Sequence, residues 1–160
     1  MVKTLQGQLD GRGLRFGLVL PRFNEVFGAR LLSGAVDCLV RHGAAETDLT
    51  VIRVPGTFEI PAAVHALVAA QQVDAVIALG VLIRGATSHY DHLALAVSRR
   101  LAEEACGGGP AVVYGIVTAE NQEQAMERCG GKVGNRGWEA ALAAIEMGRL
   151  LNELNQARGR

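Results

Sequence analysis

The stretch that most constrains this chain runs Gly80-Val81-Leu82-Ile83-Arg84-Gly85-Ala86-Thr87-Ser88-His89-Tyr90-Asp91-His92. Ahead of it, Asp74 to Leu79 is rich in Val, Ile, Ala and Leu and reads as a strand buried on both faces. Behind it, Leu93 to Ala105 spaces its apolar residues as an amphipathic helix does. A buried strand feeding a helix through a short loop is a unit of a parallel sheet. In such sheets ligands bind where strands end and helices begin, because unpaired N–H groups and the positive end of the helix dipole point outward there. Gly85 to Ser88 occupy that place. Thr87 or Ser88 serves as N-cap, and His89 falls in the first helical turn. An anion pocket beside a proton carrier is the sharpest signal in the chain.

The remaining elements follow the same alternation. Leu14 to Leu20 predicts a first buried strand. Pro21-Arg22-Phe23-Asn24 predicts a turn, with Asn24 capping a helix whose Leu32, Ala35, Val36, Leu39 and Val40 recur at helical spacing. Gly43 fits the position after that helix. Leu49 to Val54 predicts a second strand, and Pro55 to Pro61 another strand-to-helix junction. In it Gly56 permits a close backbone approach or a positive φ, and Pro61 suits a first helical position. The helix there extends to about Gln72. Gly107 to Gly109 form a turn, since they precede a strand and lack the Lys and Ser/Thr of a phosphate loop. A fourth strand spans Ala111 to Val117, and Thr118 caps a short helix carrying Gln124, Ala125 and Arg128. Gly130 to Gly137 form a loop, Trp138 to about Leu154 a long helix, and Asn155 to Arg160 fray. Near the start, Thr4 to Leu9 could form a short strand that needs a sheet edge, on another subunit, to pair with.

The resulting order, βαβαβαβαα, predicts a single domain over residues 1–160: a three-layer α/β/α sandwich on a four-stranded parallel sheet, flavodoxin-like in class. A chain of 160 residues, 49% hydrophobic but only 4% aromatic, suits a core of small aliphatic side chains. Lys plus Arg and Asp plus Glu number 16 each, so no global field draws nucleic acid or an anionic membrane, and phosphate binding must be local. The widely spaced Cys38, Cys106 and Cys129 give no zinc pattern and fit a reducing, cytoplasmic compartment. No apolar run reaches membrane-spanning length, and no secretory leader is expected.

The four strand ends at Phe23-Asn24, Gly56 to Glu59, Val81 to His89 and Tyr114 onward would share one sheet edge and could line one cleft. His89 suits acid–base work at neutral pH, against the plainer alternative of a surface histidine. His92, three residues on, raises metal binding, but no third ligand has suitable spacing, so metal is rejected. His42 and His65 read as solvent-facing. Arg128, ending a short helix, could clamp a phosphate or merely favour the helix dipole. Phe23 could stack on a planar ligand, although packing is the commoner fate of a lone aromatic, as it is for Trp138.

These residues resemble the 6,7-dimethyl-8-ribityllumazine synthase family, whose members act at the penultimate step of riboflavin biosynthesis. The likeness rests on Arg22-Phe23-Asn24, Val54-Pro55-Gly56-Thr57-Phe58-Glu59-Ile60-Pro61, Gly80 to Asp91, Tyr114 to Thr118, Glu123-Gln124-Ala125, Glu127-Arg128, Gly134 to Gly137 and Ala144 to Met147. These segments lie in the family's order and span nearly the whole chain. The resemblance implies condensation of 5-amino-6-(D-ribitylamino)uracil with L-3,4-dihydroxy-2-butanone 4-phosphate. Phosphate and water are released, and no cofactor or metal takes part. It implies that Phe23 stacks on the pyrimidine and that Thr57, Phe58 and Glu59 hold the ribityl chain and ring edge. Val81, Leu82 and Ile83 would add backbone contacts. Ala86 and Thr87 would bind the phosphate, with Arg128 reaching in from a neighbouring subunit. Tyr114 would also arrive across the interface, and His89 would shuttle protons.

Position 114 holds Tyr where the family usually has Phe, and position 136 holds Arg where Lys is common. Arg stays protonated, so it cannot transfer a proton there. The family's pentamers often close into a sixty-subunit icosahedral shell, and the short Gly130 to Gly137 loop points to that shell here, with riboflavin synthase as a conceivable cargo. Competing readings are a non-catalytic flavin- or nucleotide-binding module and a shell-forming protein of the same fold.

Overall fold

The computed structural model describes residues 1–158. Four strands, β1 (Phe16–Pro21), β2 (Leu49–Val54), β3 (Ala75–Ile83) and β4 (Ala111–Ala119), form one sheet in the order β2-β1-β3-β4, with every neighbour parallel. The helices are α1 (Glu25–Arg41), α2 (Ile60–Ala70), α3 (His89–Ala105), α4 (Gln122–Arg128) and α5 (Arg136–Arg158). This is the three-layer arrangement that the alternation of elements predicts.

The two-residue period of the strands sorts the core into two halves. Phe16, Leu18, Leu20, Ile77 and Leu79 face α1 and α5, where Leu31, Ala35, Leu39, Ala141 and Ile145 meet them. Val19, Val76, Ala78 and Ile116 face α2 and α3, packing with Ile60, Val64, Val97 and Leu101. Every residue of β1, and all of β3 but Ile83, is buried. Covered on both faces, they read as unbroken apolar runs.

Several boundaries differ from expectation, each for a physical reason. Strand β3 does not stop at Leu79. Its pairing with β4 continues through Leu82 opposite Thr118 and Ile83 opposite Ala119, so Gly80 to Ile83 are strand and not loop. Thr118 is therefore a strand residue, and the cap of α4 is Asn121, whose side chain accepts from the Gln124 N–H at 2.9 Å. Gly130 to Gly137 is not wholly irregular: β5 (Cys129–Gly131) and β6 (Gly134–Asn135) make a small antiparallel pair, and α5 starts at Arg136. Asn135 caps it, its Oδ1 accepting from Gly137 N (2.8 Å) and Trp138 N (3.2 Å). Helix α1 ends as predicted. Gly43, at φ 91°, donates to Val40 O, and Ala44 donates to Leu39 O, the paired bonds of a Schellman cap.

His42 is not solvent-facing. It is half-buried, with Nδ1 2.7 Å from Cys38 O and its ring edge-on to Trp138 at 6.1 Å. His65 is mostly exposed, but its Nδ1 lies 2.9 Å from a carboxylate oxygen of the buried Glu104. The expected fraying does not begin at Asn155, because α5 runs on to Arg158. Gly159 and Arg160 lie outside the described residues. The short strand predicted over Thr4 to Leu9 does not form on the chain's own sheet. Instead Gly7 presses against α5, while Arg149 donates to Asp10 O at 2.8 Å and Gly11 donates to His42 O at 2.7 Å. All three cysteines are free thiols, and burial pushes those of Cys38 and Cys129 up to about 11, where they are unreactive at neutral pH. Among the described residues no helix is long and apolar enough to cross a membrane.

Helices α1 and α5 meet backbone to backbone at Gly137, where an added Cβ would lie 2.0 Å from the Leu31 carbonyl oxygen. Gly85, by contrast, has nothing within 4 Å of such an atom. Gly137→Ala is expected to destabilise the fold by about 2–3 kcal/mol in urea unfolding, while Gly85→Ala changes stability by less than about 0.5 kcal/mol. Equal effects of the two substitutions would refute this account of the helix contact.

Candidate active site

Because the sheet is parallel, the ends of β1, β2 and β3 all open on one edge, and a cavity of about 480 Å³ lies there. That volume suits a small organic substrate. Three junctions build its wall.

The first junction supplies Phe23 and Asn24. Asn24 precedes α1 in the left-handed conformation, φ 58° and ψ 43°, and makes no side-chain cap, contrary to expectation. Its Nδ2 instead donates to the Val81 carbonyl at 3.0 Å, bridging β1 and β3 beneath the pocket. Asparagine tolerates this backbone better than most residues. The adjoining Phe23 is 69% exposed, an aromatic face that the folded chain leaves uncovered.

The second junction supplies Gly56, Thr57, Phe58 and Glu59. Thr57 to Glu59 form a single 3₁₀ turn ahead of α2, whose second residue is Pro61. Thr57 is buried, whereas Phe58 is 67% exposed and Glu59 faces solvent. Gly56 is extended at φ −144°, so its value is close approach and not a positive φ. A Cβ there would sit 3.0 Å from Glu59 Oε2.

The third junction supplies Leu82, Ile83, Gly85, Thr87, His89, Tyr90 and Leu93. Among the described residues no acceptor in the chain meets the N–H groups of Gly85, Ala86, Thr87 or Ser88. Four consecutive donors without a partner, just before α3, are the kind of group that can receive an anion. Ser88 holds the N-cap position without a side-chain bond, and Thr87 Oγ1 lies 3.4 Å from the N–H of His89. His89 opens the helix with an exposed ring. The site therefore combines two bare aromatic faces, one carboxylate, an imidazole and a row of N–H donors.

Not every expected residue gathers here. Val81 is buried and contributes its carbonyl to Asn24 instead of lining the cavity, and Ala86 sits on the rim between Gly85 and Thr87. Tyr114, in mid-β4, borders a separate hollow with Ser98, Leu101 and Val112, where partial burial raises its hydroxyl above the usual phenol range. Arg128 ends α4, its Nη1 donating to Gln124 O at 3.3 Å. Neither reaches the cavity of its own chain. Arg136 pairs with Glu139 at 3.1 Å on the first turn of α5. Among the described residues no group of three His, Cys, Asp or Glu side chains could hold a metal ion.

One residue escaped the sequence reading. Arg84 grips Asp91 with two bonds of 2.9 Å and Glu120 with one of 2.8 Å, and its guanidinium lies 4.5 Å from the Tyr90 ring centroid. Only its place between a buried strand and Gly85 hinted at a role; nothing in the spacing pairs it with Asp91. The guanidinium holds the Asp91 carboxyl below its ordinary range.

Nearly the whole sequence is similar to a named family and to named relatives. The sequence model of the family described as 6,7-dimethyl-8-ribityllumazine synthase matches residues 13–152. Relatives carrying that name include one from Aquifex aeolicus (strain VF5), 52% identical over 153 residues, or 96% of this chain and 99% of the relative. Those from Prosthecochloris aestuarii and Chlorobaculum tepidum are 46% and 44% identical over the same shares of each chain.

Two outcomes are expected from this geometry. Asn24→Ala loses both the bond to Val81 and the tolerance for a left-handed backbone, at a cost of about 2 kcal/mol in urea unfolding. Asn24→Gly loses the bond alone and costs about half as much; the reverse ranking would count against the bridge. The Asp91 carboxyl titrates below the ordinary aspartate value, so its ion pair contributes fully above about pH 4 and fades as pH falls through the lowered pKa. Carboxyl NMR should show Arg84→Gln returning Asp91 toward the ordinary value.

Proposed function

The chain belongs to the 6,7-dimethyl-8-ribityllumazine synthase family, and from that premise we propose that it condenses 5-amino-6-(D-ribitylamino)uracil with L-3,4-dihydroxy-2-butanone 4-phosphate. The observation that carries this reading is the convergence of the Phe23, Gly56–Glu59 and Gly85–His89 junctions on one cavity. A planar heterocycle, a polyol and a phosphate each find a suitable wall there.

The exposed Phe23 ring stacks on the pyrimidine, and the Thr57–Glu59 turn holds the ring edge and ribityl hydroxyls, with Leu82 and Ile83 closing the floor. The N–H groups flanking Ala86 and Thr87 seat the phosphate, positioning the ketone against the attacking amine. The amine adds to the ketone and water leaves to give an imine. Phosphate departs by β-elimination, and the enol left behind becomes a new carbonyl. The second amine adds to that carbonyl, and a second water leaves as the ring closes. Each step moves a proton, and the exposed imidazole of His89 at the seat gives and takes it. Additions and eliminations of this kind involve no net redox change, so the scheme calls for no organic cofactor and no metal.

In this reading the chain is one domain over residues 1–160 and works in the cytoplasm as a homo-oligomer. Tyr114 and Arg128, which do not reach their own cavity, complete a neighbour's. The subunits form pentamers, and the short Gly130–Gly137 segment favours closure into a sixty-subunit icosahedral shell, with riboflavin synthase as the cargo to look for. The N-terminal segment, which lacks a ladder in its own chain, adds a strand to a neighbour's sheet.

The test is product formation from the two substrates, followed by absorbance against an enzyme-free control. Wild type should run far above background. His89→Ala should lower kcat by about 10²-fold, as expected for a lost proton carrier. Arg128→Ala should chiefly raise the KM of the phosphorylated substrate, by about tenfold or more. A wild-type rate equal to background would leave a ligand-binding or shell-forming protein.

A further inference from the structure

We propose that Arg84 is a positioning residue: it fixes the Gly85–Ser88 anion seat and His89 by tying the two ends of that loop to each other and to β4. The inference rests on the reading of this loop as the phosphate site.

The loop has little else to hold it. Among the described residues its N–H groups at 85–88 have no acceptor, and its one internal side-chain hydrogen bond is the 3.4 Å approach of His89 N to Thr87 Oγ1. Arg84 stands at its entry and Asp91 at its exit. The backbone N–H of Arg84 donates to Ala119 O at 2.9 Å, extending the β3–β4 ladder one residue beyond the strand. Its guanidinium then crosses the loop. Nη1 and Nη2 meet the two Asp91 carboxylate oxygens at 2.9 Å each, a fork-to-fork geometry that fixes orientation as well as distance. Nε donates to Glu120 Oε2 at 2.8 Å, and Glu120 is itself held, its N–H donating to Gln124 Oε1 at 2.9 Å. The flat face lies 4.5 Å from the ring centroid of Tyr90, whose ring lines the cavity beside His89.

Exposed ion pairs contribute little to stability, and these side chains are 37%, 54% and 59% exposed. What the network fixes is shape: where the four N–H groups and the imidazole point. Nor is Arg84 suited to be the phosphate's own counter-charge, since two carboxylates already surround its single positive charge. A direct ion pair and a positioning role thus make opposite predictions for Asp91→Asn. Removing a negative charge beside an anion site strengthens a Coulombic grip, whereas removing one half of a fork loosens the seat.

The experiment titrates inorganic phosphate into the assembled wild type, Arg84→Lys, Asp91→Asn and the double variant, and measures KM for each substrate in parallel. We expect Arg84→Lys, which keeps the charge but not the fork, and Asp91→Asn each to weaken phosphate binding about tenfold. Each should raise the KM of the phosphorylated substrate comparably and leave that of the pyrimidine within about twofold. The double variant should be no worse than either single one, as befits two halves of one device. Tighter or unchanged phosphate binding by Asp91→Asn overturns the proposal, as does wild-type behaviour of Arg84→Lys. If Arg84→Lys does not fold, Asp91→Asn, nearly isosteric with the native residue, decides alone. Should wild type bind phosphate yet form no product above background, the condensation falls while the phosphate titration still decides the role of Arg84. A wild type that binds no phosphate overturns both.

Discussion

Parallel pairing is the constraint on which everything else depends. Strands that all run one way deliver their C-terminal ends to one edge, and their following loops with them. Residues as far apart in sequence as Phe23, Thr57 and His89 are neighbours for that reason alone. The price of the arrangement is that β1 and β3 must be covered on both faces, which requires helices on either side and a core of small aliphatic side chains.

The amide of Asn24 shows how the edge is held in register. Parallel strands have no hairpin to align them, so the offset between β1 and β3 rests on ladder bonds and on cross-links such as Asn24 to Val81. The same residue takes the left-handed turn that starts α1 and sets Phe23 against the cavity. One side chain therefore couples backbone direction, strand offset and the placement of an aromatic face.

Much of this was legible because burial leaves a plain trace. The runs at 14–20 and 74–79 read as buried strands and are so, and Gly43 could be placed because the helical spacing ends at Val40, shortly ahead of it. What stayed hidden was decided by partners distant in sequence. The third strand was expected to end at Leu79, with Val81 already in the junction, yet pairing of Gly80 to Ile83 with Ile116 to Ala119 carries the ladder on. Thr118 and Asn121 are equally plausible caps by residue type, and only the length of β4 chooses between them. Asn24 was assigned a capping side chain that it spends on another strand. Of the site, Phe23, Thr57–Glu59, Leu82, Ile83, Thr87 and His89 were found at the cavity, since they lie at the strand ends. Arg84 was not, because its meaning comes from Asp91 and Glu120, one of which stands on a different strand-to-helix junction.

The contact at Gly137 has a mechanical consequence. Side chains that separate two helices can change rotamer and take up small displacements, but here the spacing of α1 and α5 is set by a carbonyl against an α-carbon, with Asn135 bonded to Arg30 O alongside. Such a contact does not compress. A push on α5 is passed to α1, whose first residue directly follows Asn24 and its bridge. The outer helical layer is thereby geared to the floor of the cavity without touching it.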